Sequence, residues 1–279
     1  MTGVIDVGGG LRGIYGAGVF DYCMDHDIHF DYCCGVSAGS ANLVSYMAGQ
    51  KGRNYKFYTE YALRKEYMGV EEFIRKGSYI NLEYVYGILS NSDGEYPLDF
   101  EAMKRSGKIL RVVATDAETG HPVYFGMEDM AQDDYGPVKA SSCVPIVNKA
   151  FEFKGRKYYD GGITDPIPIR RAFREGCTRV VVVLTRPRDF TRDSGKDRWL
   201  ARMLLNSWPN TARALYRRSA YYNRALELCK IYEKEGKVLI VAPKDIGGMK
   251  TLTRDLDAIK MMYQEGYEDA GKIQKFISA

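Results

Sequence analysis

Histidine is scarce in this chain: the 279 residues include only three, His26, His29 and His121. Any reaction that needs a histidine base must use one of them. The formal net charge is also small, at +4, and by itself it does not predict nucleic acid binding. The longest apolar runs are shorter than the ~20 residues that a membrane-spanning helix needs. No signal peptide precedes the first strand-like segment, so we expect a cytoplasmic protein.

The cysteines give no sign of a metal or redox site. None of the six forms a CxxC pair, and none has the Cys/His spacing of a zinc ligand set. Most stand in apolar surroundings, as Cys33 and Cys34 do. We therefore predict buried free thiols in a reducing compartment, and we expect no metal and no other cofactor.

The first fifty residues alternate between strand and helix patterns. A short β-branched segment, Gly3 to Val7, is followed by a helical pattern from about Gly13 to Asp25. A second strand pattern spans Phe30 to Cys34, and small and apolar residues from Ser40 to about Met47 predict a buried helix. A strand–helix–strand–helix unit of this kind predicts an α/β fold with parallel strands.

Strand patterns recur in the rest of the chain. The stretch from Arg53 to Glu95 is aromatic and charged, with helical spacing in places. After it, two of the strand patterns form a predicted hairpin over Lys154 and Gly155. A helical pattern from about Thr253 to Phe276 ends the chain. The further predicted strands are 109–115, 122–126, 150–153, 156–160, 179–185 and 238–242, the last of which we expect to join the main sheet.

Residues 35–39 read Gly-Val-Ser-Ala-Gly and lie between a predicted strand and a predicted helix. The glycines on both sides, Gly35 and Gly39, permit a tight turn that lifts the Ser37 hydroxyl out of the sheet edge. The helix that follows points its N-terminal N–H groups at the place where an oxyanion would develop. This placement predicts that Ser37 is a nucleophile, whereas the five-residue pattern alone would be weak evidence.

Residues 8–13 read Gly-Gly-Gly-Leu-Arg-Gly and admit two functions. The pattern fits the G-x-G-x-x-G turn that binds dinucleotides after a first strand. That motif needs an acidic residue near the end of the second strand, where this chain has Ser37. Alternatively, the glycines expose N–H groups for an oxyanion hole, and Arg12 adds positive potential. Both turns follow parallel strands, so we expect them to face one site.

None of the three histidines is placed to act as the base for Ser37. His26 and His29 lie at the far end of the first predicted helix, and His121 follows Asp116 in a turn between two predicted strands. A conventional α/β-hydrolase triad has a histidine downstream of a separate acid, and only His121 lies downstream here. A histidine-dependent triad is therefore not expected.

Asp160 is the alternative base. It ends a predicted hairpin strand and is followed by Gly161 and Gly162, so its carboxylate stands on a tight turn. An aspartate in water, with a pKa of about 3.9, is a weak base, but partial burial raises that value. We therefore expect Ser37 and Asp160 to act as a two-residue catalytic unit.

Three motifs in this order resemble the patatin-like phospholipase family. They are the glycine stretch from Gly8 to Gly13, the serine turn from Gly35 to Gly39, and the turn from Asp160 to Gly162. Residues 140–145, Ala-Ser-Ser-Cys-Val-Pro, also resemble that family's segment ahead of the aspartate. The resemblance covers roughly residues 3–170 and is closest to bacterial cytoplasmic members with a C-terminal extension. In the first strand, Asp6 and Val7 stand where the resemblance leads us to expect Glu-Gly, and we attach no function to them.

The resemblance implies a three-layer α/β/α fold around a mostly parallel sheet, and metal-independent hydrolysis of acyl esters. It implies that Ser37 is the nucleophile and Asp160 the base, and that Gly9, Gly10 and Arg12 form the oxyanion hole. The other motif glycines would support these turns: Gly8, Gly13, Gly35, Gly39, Gly161 and Gly162.

This interpretation assigns residues 1–170 to a catalytic core and residues 171–279 to a largely helical extension that completes the same domain. The expected substrate is an acyl lipid or a small ester. Two alternatives stay open. An acyltransferase would use the same two residues with an alcohol in place of water, and a non-catalytic module would bind nucleotide or phosphate at the glycine turn.

Residues 196–230 carry eight basic and two acidic residues, a larger surplus of positive charge than the whole chain has. Arg213, Arg217 and Arg224 lie off an apolar stripe at helical spacing, formed by Ala212, Leu215, Ser219, Tyr222, Leu226 and Cys229. One interpretation is peripheral contact with an anionic membrane surface. The other is a solvated helix that packs through its apolar stripe. We expect no nucleic acid partner.

Overall fold

The structure, a computed structural model, describes residues 1–69 and 78–278. Residues 70–77, part of the aromatic and charged stretch from Arg53 to Glu95, lie outside the described residues. In the described part the strands are β1 (Thr2–Asp6), β2 (Tyr32–Val36), β3 (Ile109–Asp116), β4 (Pro122–Phe125), β5 (Phe151–Phe153), β6 (Arg156–Asp160), β7 (Arg179–Val183) and β8 (Val238–Val241). They form one sheet in the order β5-β6-β3-β2-β1-β7-β8, and β4 pairs with β3 off this path.

Helices connect and cover these strands. The described α-helices are α1 (Ile14–Asp25), α2 (Ala38–Met47), α3 (Arg53–Thr59), α4 (Phe100–Arg105), α5 (Gly136–Ser141), α6 (Ile169–Arg174), α7 (Gly195–Leu204), α8 (Pro209–Lys234), α9 (Leu256–Asp269) and α10 (Ile273–Ser278). Short 3-10 turns occur at Gly10–Gly13, Tyr61–Leu63, Met127–Asp129, Gly161–Ile163 and Ala270–Lys272, and one π-helical turn at Tyr84–Ile88. No helix within the described residues has the length and apolar character needed to cross a membrane.

The centre of the sheet is parallel, as the alternating pattern predicts. β1 lies between β2 and β7 and runs parallel to both, and β3 and β8 extend this parallel part on either side. β4, β5 and β6 pair antiparallel at one edge. At the end of β1, Asp6 lies opposite Gly35 of β2, so the turns after these two strands leave the same edge of the sheet.

Helices cover both faces of the sheet and make three α/β/α layers. Val4 and Ile5 are neighbours in β1, yet they belong to two separate apolar clusters, because successive strand residues point to opposite faces. The Val4 cluster includes Phe20 of α1 and Ile259 of α9, and the Ile5 cluster includes Leu226 of α8. β2 is buried throughout, and β1 and β7 are buried after their first residue, because strands covered on both faces have no solvent-facing side.

The end of the chain packs against its beginning. Two glycines allow α9 to lie directly on α1, because a Cβ atom at Gly18 would collide with the Tyr263 carbonyl oxygen and one at Gly266 with that of Tyr15. The Tyr15 hydroxyl also donates a hydrogen bond to Asp269 at 2.7 Å. β7 and β8 join the same sheet as β1, as the sequence predicts for the last strand.

The structure corrects the bounds of the last predicted helix. α9 begins at Leu256 rather than near Thr253, because the Asp255 side chain accepts hydrogen bonds from the N–H groups of Asp257 and Ala258 and caps the helix there. A 3-10 turn at Ala270–Lys272 then separates α9 from α10. The predicted hairpin over Lys154 and Gly155 is confirmed, and all six cysteines are buried and free.

Candidate active site

Ser37 lies in a strained turn between β2 and α2. Its backbone has φ 56° and ψ −132°, a conformation that residues with a side chain rarely adopt. The flanking glycines are needed because the chain is crowded there: a Cβ atom at Gly35 would collide with Ser40, and one at Gly39 would lie 2.7 Å from the carbonyl carbon of Asp6. The sequence-predicted sharp turn is therefore present, with its serine at the apex.

Hydrogen bonds hold the backbone of Ser37 on both sides. Its N–H donates to the Ser141 hydroxyl at 2.8 Å, and its carbonyl oxygen accepts from the N–H of Ser40 at 2.9 Å and from the Ser40 hydroxyl at 2.6 Å. Because these bonds involve only backbone atoms of Ser37, its own hydroxyl stays free to face the cavity that the residue lines.

Asp160 ends β6 and is held just as closely. Its N–H donates to the carbonyl oxygen of Cys143 at 2.7 Å, and its carboxylate accepts from the N–H of Gly162 at 2.8 Å. The Ser37 side chain lies close enough to this carboxylate to lower the pKa of the Asp160 carboxyl. Gly161 is required in this turn because a Cβ atom there would collide with the Val113 carbonyl oxygen of β3. The two residues that the sequence separates by more than a hundred positions thus meet in one site.

Burial raises the pKa of the Asp160 carboxyl above its usual value. The nearby charge of Arg218 and the hydrogen bonds from Ser37 and the Gly162 N–H oppose this shift by stabilising the charged form. The carboxylate is therefore a stronger base than an aspartate in water, and it remains able to lose its proton.

Residues 140–145 connect the two turns physically. Ser141, at the end of α5, accepts the hydrogen bond from the N–H of Ser37, and Cys143 accepts the one from the N–H of Asp160. Sequence reasoning noticed this segment only for its resemblance to a family pattern and gave its residues no role. The structure shows that the segment sets the separation between serine and aspartate.

The glycine loop, residues 8–10, lies against the serine turn. All three glycines have positive φ, at 62°, 130° and 63°. A Cβ atom at Gly8 would collide with the Val36 carbonyl oxygen and lie 2.9 Å from the backbone nitrogen of Ala38. The N–H of Gly8 donates to Asp6 at 2.9 Å, and that of Leu11 donates to the Thr251 carbonyl oxygen at 2.8 Å. Within residues 1–69 and 78–278, the N–H groups of Gly9 and Gly10 have no acceptor, and both glycines line the cavity.

Asp6, to which no function was assigned from the sequence, holds the glycine loop in place through a hydrogen bond to its backbone. Its fully buried carboxylate accepts hydrogen bonds from the N–H of Gly8 at 2.9 Å and from the Asn42 side chain at 2.8 Å. Burial raises the pKa of Asp6 to about 6, against the lowering effect of these two bonds. The residue could have been suspected from its position, because a carboxylate at the end of a buried strand needs donors close by.

Arg12 is buried behind the glycine loop. Its Nε donates to the Thr185 carbonyl oxygen at 3.2 Å, and its Nη1 donates to the Thr251 hydroxyl at 3.1 Å. Burial, and next the charge of Arg186, lower its pKa to about 10, so the guanidinium stays charged at neutral pH. Arg12 thus lies next to Gly9 and is anchored by two threonines that were not singled out from the sequence.

A cavity of about 840 Å³ is lined by Ser37, Asp160 and the glycine loop together with two kinds of side chain. The apolar and aromatic ones, which we call the apolar wall, include Phe57, Tyr58, Ile80, Leu82, Leu89, Val147 and Met249. The arginines Arg12, Arg186, Arg192 and Arg218 line the same cavity, and we call them the basic wall. Within the described part of the chain, no cluster of three or more His, Cys, Asp or Glu side chains could hold a metal ion.

The basic segment contributes to this site through one arginine. The predicted apolar stripe of α8 is buried, and Arg213, Arg217 and Arg224 are exposed, as expected for residues off the stripe. Arg218 instead turns inward and donates from Nε to the Gly162 carbonyl oxygen at 2.6 Å. The signal for this was its spacing, because Arg218 stands three residues after Leu215 and four before Tyr222, both on the buried stripe.

Comparison with known proteins places this site in a family. Residues 7–173 match the family described as Patatin-like phospholipase, and residues 208–277 match a domain of unknown function, DUF6363. The Uncharacterized protein YjjU of Escherichia coli (strain K12) is 32% identical over 185 residues, which are 64% of this chain and 50% of that protein. This chain therefore spans about half the length of that relative.

Among solved structures, VipD from Legionella pneumophila aligns with a TM-score of 0.48 and 14% identity, over 99% of this chain and 67% of that chain. The family match covers more than half of the residues, and it includes the glycine loop, the serine turn and the aspartate turn. The chain belongs to the patatin-like phospholipase family.

Proposed function

We propose that this protein is a serine acyl hydrolase that cleaves fatty-acyl esters of lipids through a dyad of Ser37 and Asp160. The observation that carries the proposal is that Ser37, at the apex of its strained turn, and the buried carboxylate of Asp160 line one cavity, where the serine side chain lowers the pKa of that carboxyl. Membership of a phospholipase family supports a lipid as the substrate.

The reaction needs only groups that the site contains. Asp160 accepts the proton of the Ser37 hydroxyl while the oxygen attacks the ester carbonyl. The N–H groups of Gly9 and Gly10 donate to the oxyanion that develops, and loss of one such donor typically costs ~2.7–4 kcal/mol of barrier. The alcohol leaves with a proton from Asp160, and an acyl-enzyme remains. Water then loses a proton to Asp160 and attacks the acyl-enzyme, the bond between the acyl group and the Ser37 oxygen breaks, and Asp160 returns the proton to Ser37 as the fatty acid leaves.

Two substitutions test the dyad. We expect Ser37→Ala and Asp160→Asn each to lower turnover of a p-nitrophenyl acyl ester by about 10³-fold or more, because the nucleophile or its base is lost. Thermal unfolding and circular dichroism check that both variants fold. Turnover close to wild type in either folded variant would contradict the dyad.

A fluorophosphonate probe tests the class of function independently. The probe should label wild-type protein at Ser37 and leave the Ser37→Ala variant unlabelled. Absence of labelling in both would favour the non-catalytic phosphate-binding module. Glycerol added to the ester assay separates hydrolase from acyltransferase, because only the latter forms acylglycerol in preference to free fatty acid.

We also propose that α7 and the start of α8 contact an anionic membrane surface. Trp199, Met203, Leu205 and Tyr216 are each more than half exposed there. Arg198 lies over the Tyr216 ring at 5.1 Å, so a positive charge accompanies the exposed apolar side chains. Leu200, also on α7, lines the cavity, so this surface borders the proposed site. Apolar and basic side chains together are typical of an interfacial surface.

Liposome sedimentation tests this surface. Wild-type protein should pellet with vesicles that contain an anionic phospholipid and stay in the supernatant with purely zwitterionic ones. Trp199→Ala should weaken the pelleting because it removes the largest exposed apolar side chain. No pelleting with either vesicle type would favour the solvated helix instead, and equal pelleting with both would contradict the preference for an anionic surface.

A further inference from the structure

The basic wall of the cavity brings together arginines from three distant parts of the chain. Arg12 donates to the carbonyl oxygen of Thr185, the residue directly before Arg186, so these two guanidinium groups lie near each other. Arg218 of α8 donates to the Gly162 carbonyl oxygen at 2.6 Å, beside the aspartate turn. All of them line the cavity that contains Ser37. The positive charge thus lies next to the proposed nucleophile.

The carboxylates around these arginines are too few to neutralise them. Asp197, fully buried, accepts two hydrogen bonds from Arg192, at 2.7 and 2.8 Å, and its carboxylate lies 3.8 Å from Arg218. Asp160 is the other carboxylate that acts on Arg218. The four guanidinium groups therefore face two carboxylates, which leaves a surplus of two positive charges.

This surplus falls on Arg12 and Arg186. Within residues 1–69 and 78–278, neither has a carboxylate within ion-pair distance. Arg186 is half-buried and lies over the Phe190 ring at 4.3 Å. The exposed Lys196 and Asp193, which also line the cavity, balance each other in formal charge. Arg12 is buried with hydrogen bonds to two threonines but without a counter-charge, and an anion bound between the guanidinium groups of Arg12 and Arg186 would offset the cost of their withdrawal from water.

We propose that Arg186 and Arg218, with Arg12 behind them, form a subsite for a phosphate group, so that the preferred substrate is an acyl ester with a net negative phosphate headgroup. The guanidinium fork matches the geometry of phosphate oxygens. With the phosphate on the basic wall and the acyl chain on the apolar wall, the ester lies at Ser37. This inference rests on the proposed function and names its substrate class.

Two of the three arginines of the subsite come from outside the part of the chain that matches the phospholipase family. Arg186 follows the end of that match at residue 173, and Arg218 belongs to residues 208–277, which match a domain of unknown function. The subsite therefore gives the C-terminal segment a part in substrate selection.

A pair of substrates with the same acyl chain tests the subsite in turnover. Arg186→Gln should lower kcat/KM for lysophosphatidic acid by about tenfold or more and that for the neutral monoacylglycerol by less than about twofold. Arg186→Lys should recover part of the loss, because it restores the charge without the fork. Arg188→Gln is the matched control: it removes the same charge two residues away, from an exposed side chain paired with Glu233. We expect Arg188→Gln to leave kcat/KM unchanged for both substrates.

Calorimetry on the Ser37→Ala background tests binding without turnover. sn-Glycerol 3-phosphate should bind to this variant, and the added Arg186→Gln substitution, but not Arg188→Gln, should abolish that binding. If inorganic phosphate binds as tightly as sn-glycerol 3-phosphate and the two esters have the same kcat/KM, the subsite is confirmed with free phosphate as its ligand. If no ester is turned over but binding persists, the dyad fails and the subsite stands.

Two results would overturn the subsite. One is that Arg186→Gln lowers kcat/KM equally for both esters while neither sn-glycerol 3-phosphate nor inorganic phosphate binds to the Ser37→Ala protein. The other concerns Asp160, whose pKa is lowered by the charges of Arg218 and Arg192 on the same basic wall. Suppose that Arg186→Gln shifts the acidic limb of the pH profile of kcat/KM for the neutral ester and lowers kcat/KM equally for both esters. The arginine then acts through Asp160 and not on the substrate.

Discussion

The part of the chain that matches the phospholipase family and the part after it contribute different things to one site. The first part supplies Ser37, Asp160 and the glycine loop, which local backbone geometry holds in place: positive φ angles, flanking glycines and hydrogen bonds from neighbouring turns. The second part supplies Arg218 and Thr251, which reach the site through side chains from α8 and from the loop before α9.

This difference teaches where the chemistry and the selectivity of the protein reside. Groups held by backbone geometry tolerate almost no change, because a Cβ atom or a different φ moves the reacting atoms themselves. Groups held by side-chain contacts across the fold can change one at a time, and each change alters charge or support more than geometry. Substitutions in the two parts should therefore differ both in size and in kind.

Outside the dyad itself, the largest effect is expected in the first part, from Gly8→Ala. Alanine would be strained at φ 62°, and its Cβ atom would collide with the Val36 carbonyl oxygen, so the glycine loop must move away from Ser37. We expect kcat for a p-nitrophenyl ester to fall by about 10²-fold or more, the effect of losing oxyanion donors.

Gly155→Ala is the matched control for Gly8→Ala. Gly155 also has positive φ, at 73°, but no atom lies within 4 Å of its Cβ position. The substitution should lower the free energy of unfolding by about 1 kcal/mol and leave kcat unchanged. Equal losses of activity in the two variants would show that strain at glycine, and not the position of the loop, causes the loss.

An intermediate effect, in pH dependence, is expected in the second part from Arg218→Gln. Asp160 must be deprotonated to act as base, so activity is lost as the pH falls through its pKa. The charge of Arg218 lowers that pKa, which burial raises. Removing the charge raises the pKa further, and the acidic limb of kcat/KM for a neutral ester should move to higher pH.

The comparison that isolates this effect is the pH profile of Arg188→Gln, which removes an equal charge from an exposed side chain. Its acidic limb should coincide with that of the wild type. An unchanged limb in Arg218→Gln would mean that Arg218 does not influence the base.

The smallest effect is expected from Thr251→Val, also in the second part. This change removes the hydroxyl that accepts from Arg12 and keeps the shape of the side chain and the backbone bond to Leu11. Because Thr251 is exposed, water can replace the lost acceptor, and urea unfolding should show a loss of about 1 kcal/mol or less, with kcat/KM changed only a few-fold. A loss of kcat as large as that expected for Gly8→Ala would show that the loop containing Thr251 is part of the catalytic machinery.

Much of the fold followed from local patterns. Alternating strand and helix patterns predicted the parallel centre of the sheet, and the hairpin over Lys154 and Gly155 has the predicted turn. The predicted bounds of the last helix were wrong because a cap at Asp255 and a 3-10 turn after α9 interrupt the helix, although its apolar periodicity is continuous. Apolar periodicity indicates which face of a helix is buried, but it does not indicate where the helical backbone hydrogen bonds begin and end.

By itself, the sequence determined the turns of this protein. The glycines on both sides of Ser37 and directly after Asp160 stand where a Cβ atom would collide with neighbouring backbone, and a glycine at such places is a local signal of a tight turn, so these turns could be predicted without a fold. Only the tertiary structure decided what surrounds them. Arg12 finds its partners 173 and 239 residues away, and Arg218 turns inward while Arg217 faces solvent. The physical reason is that a turn is specified by adjacent residues, whereas the charge of a cavity depends on side chains that only folding brings together.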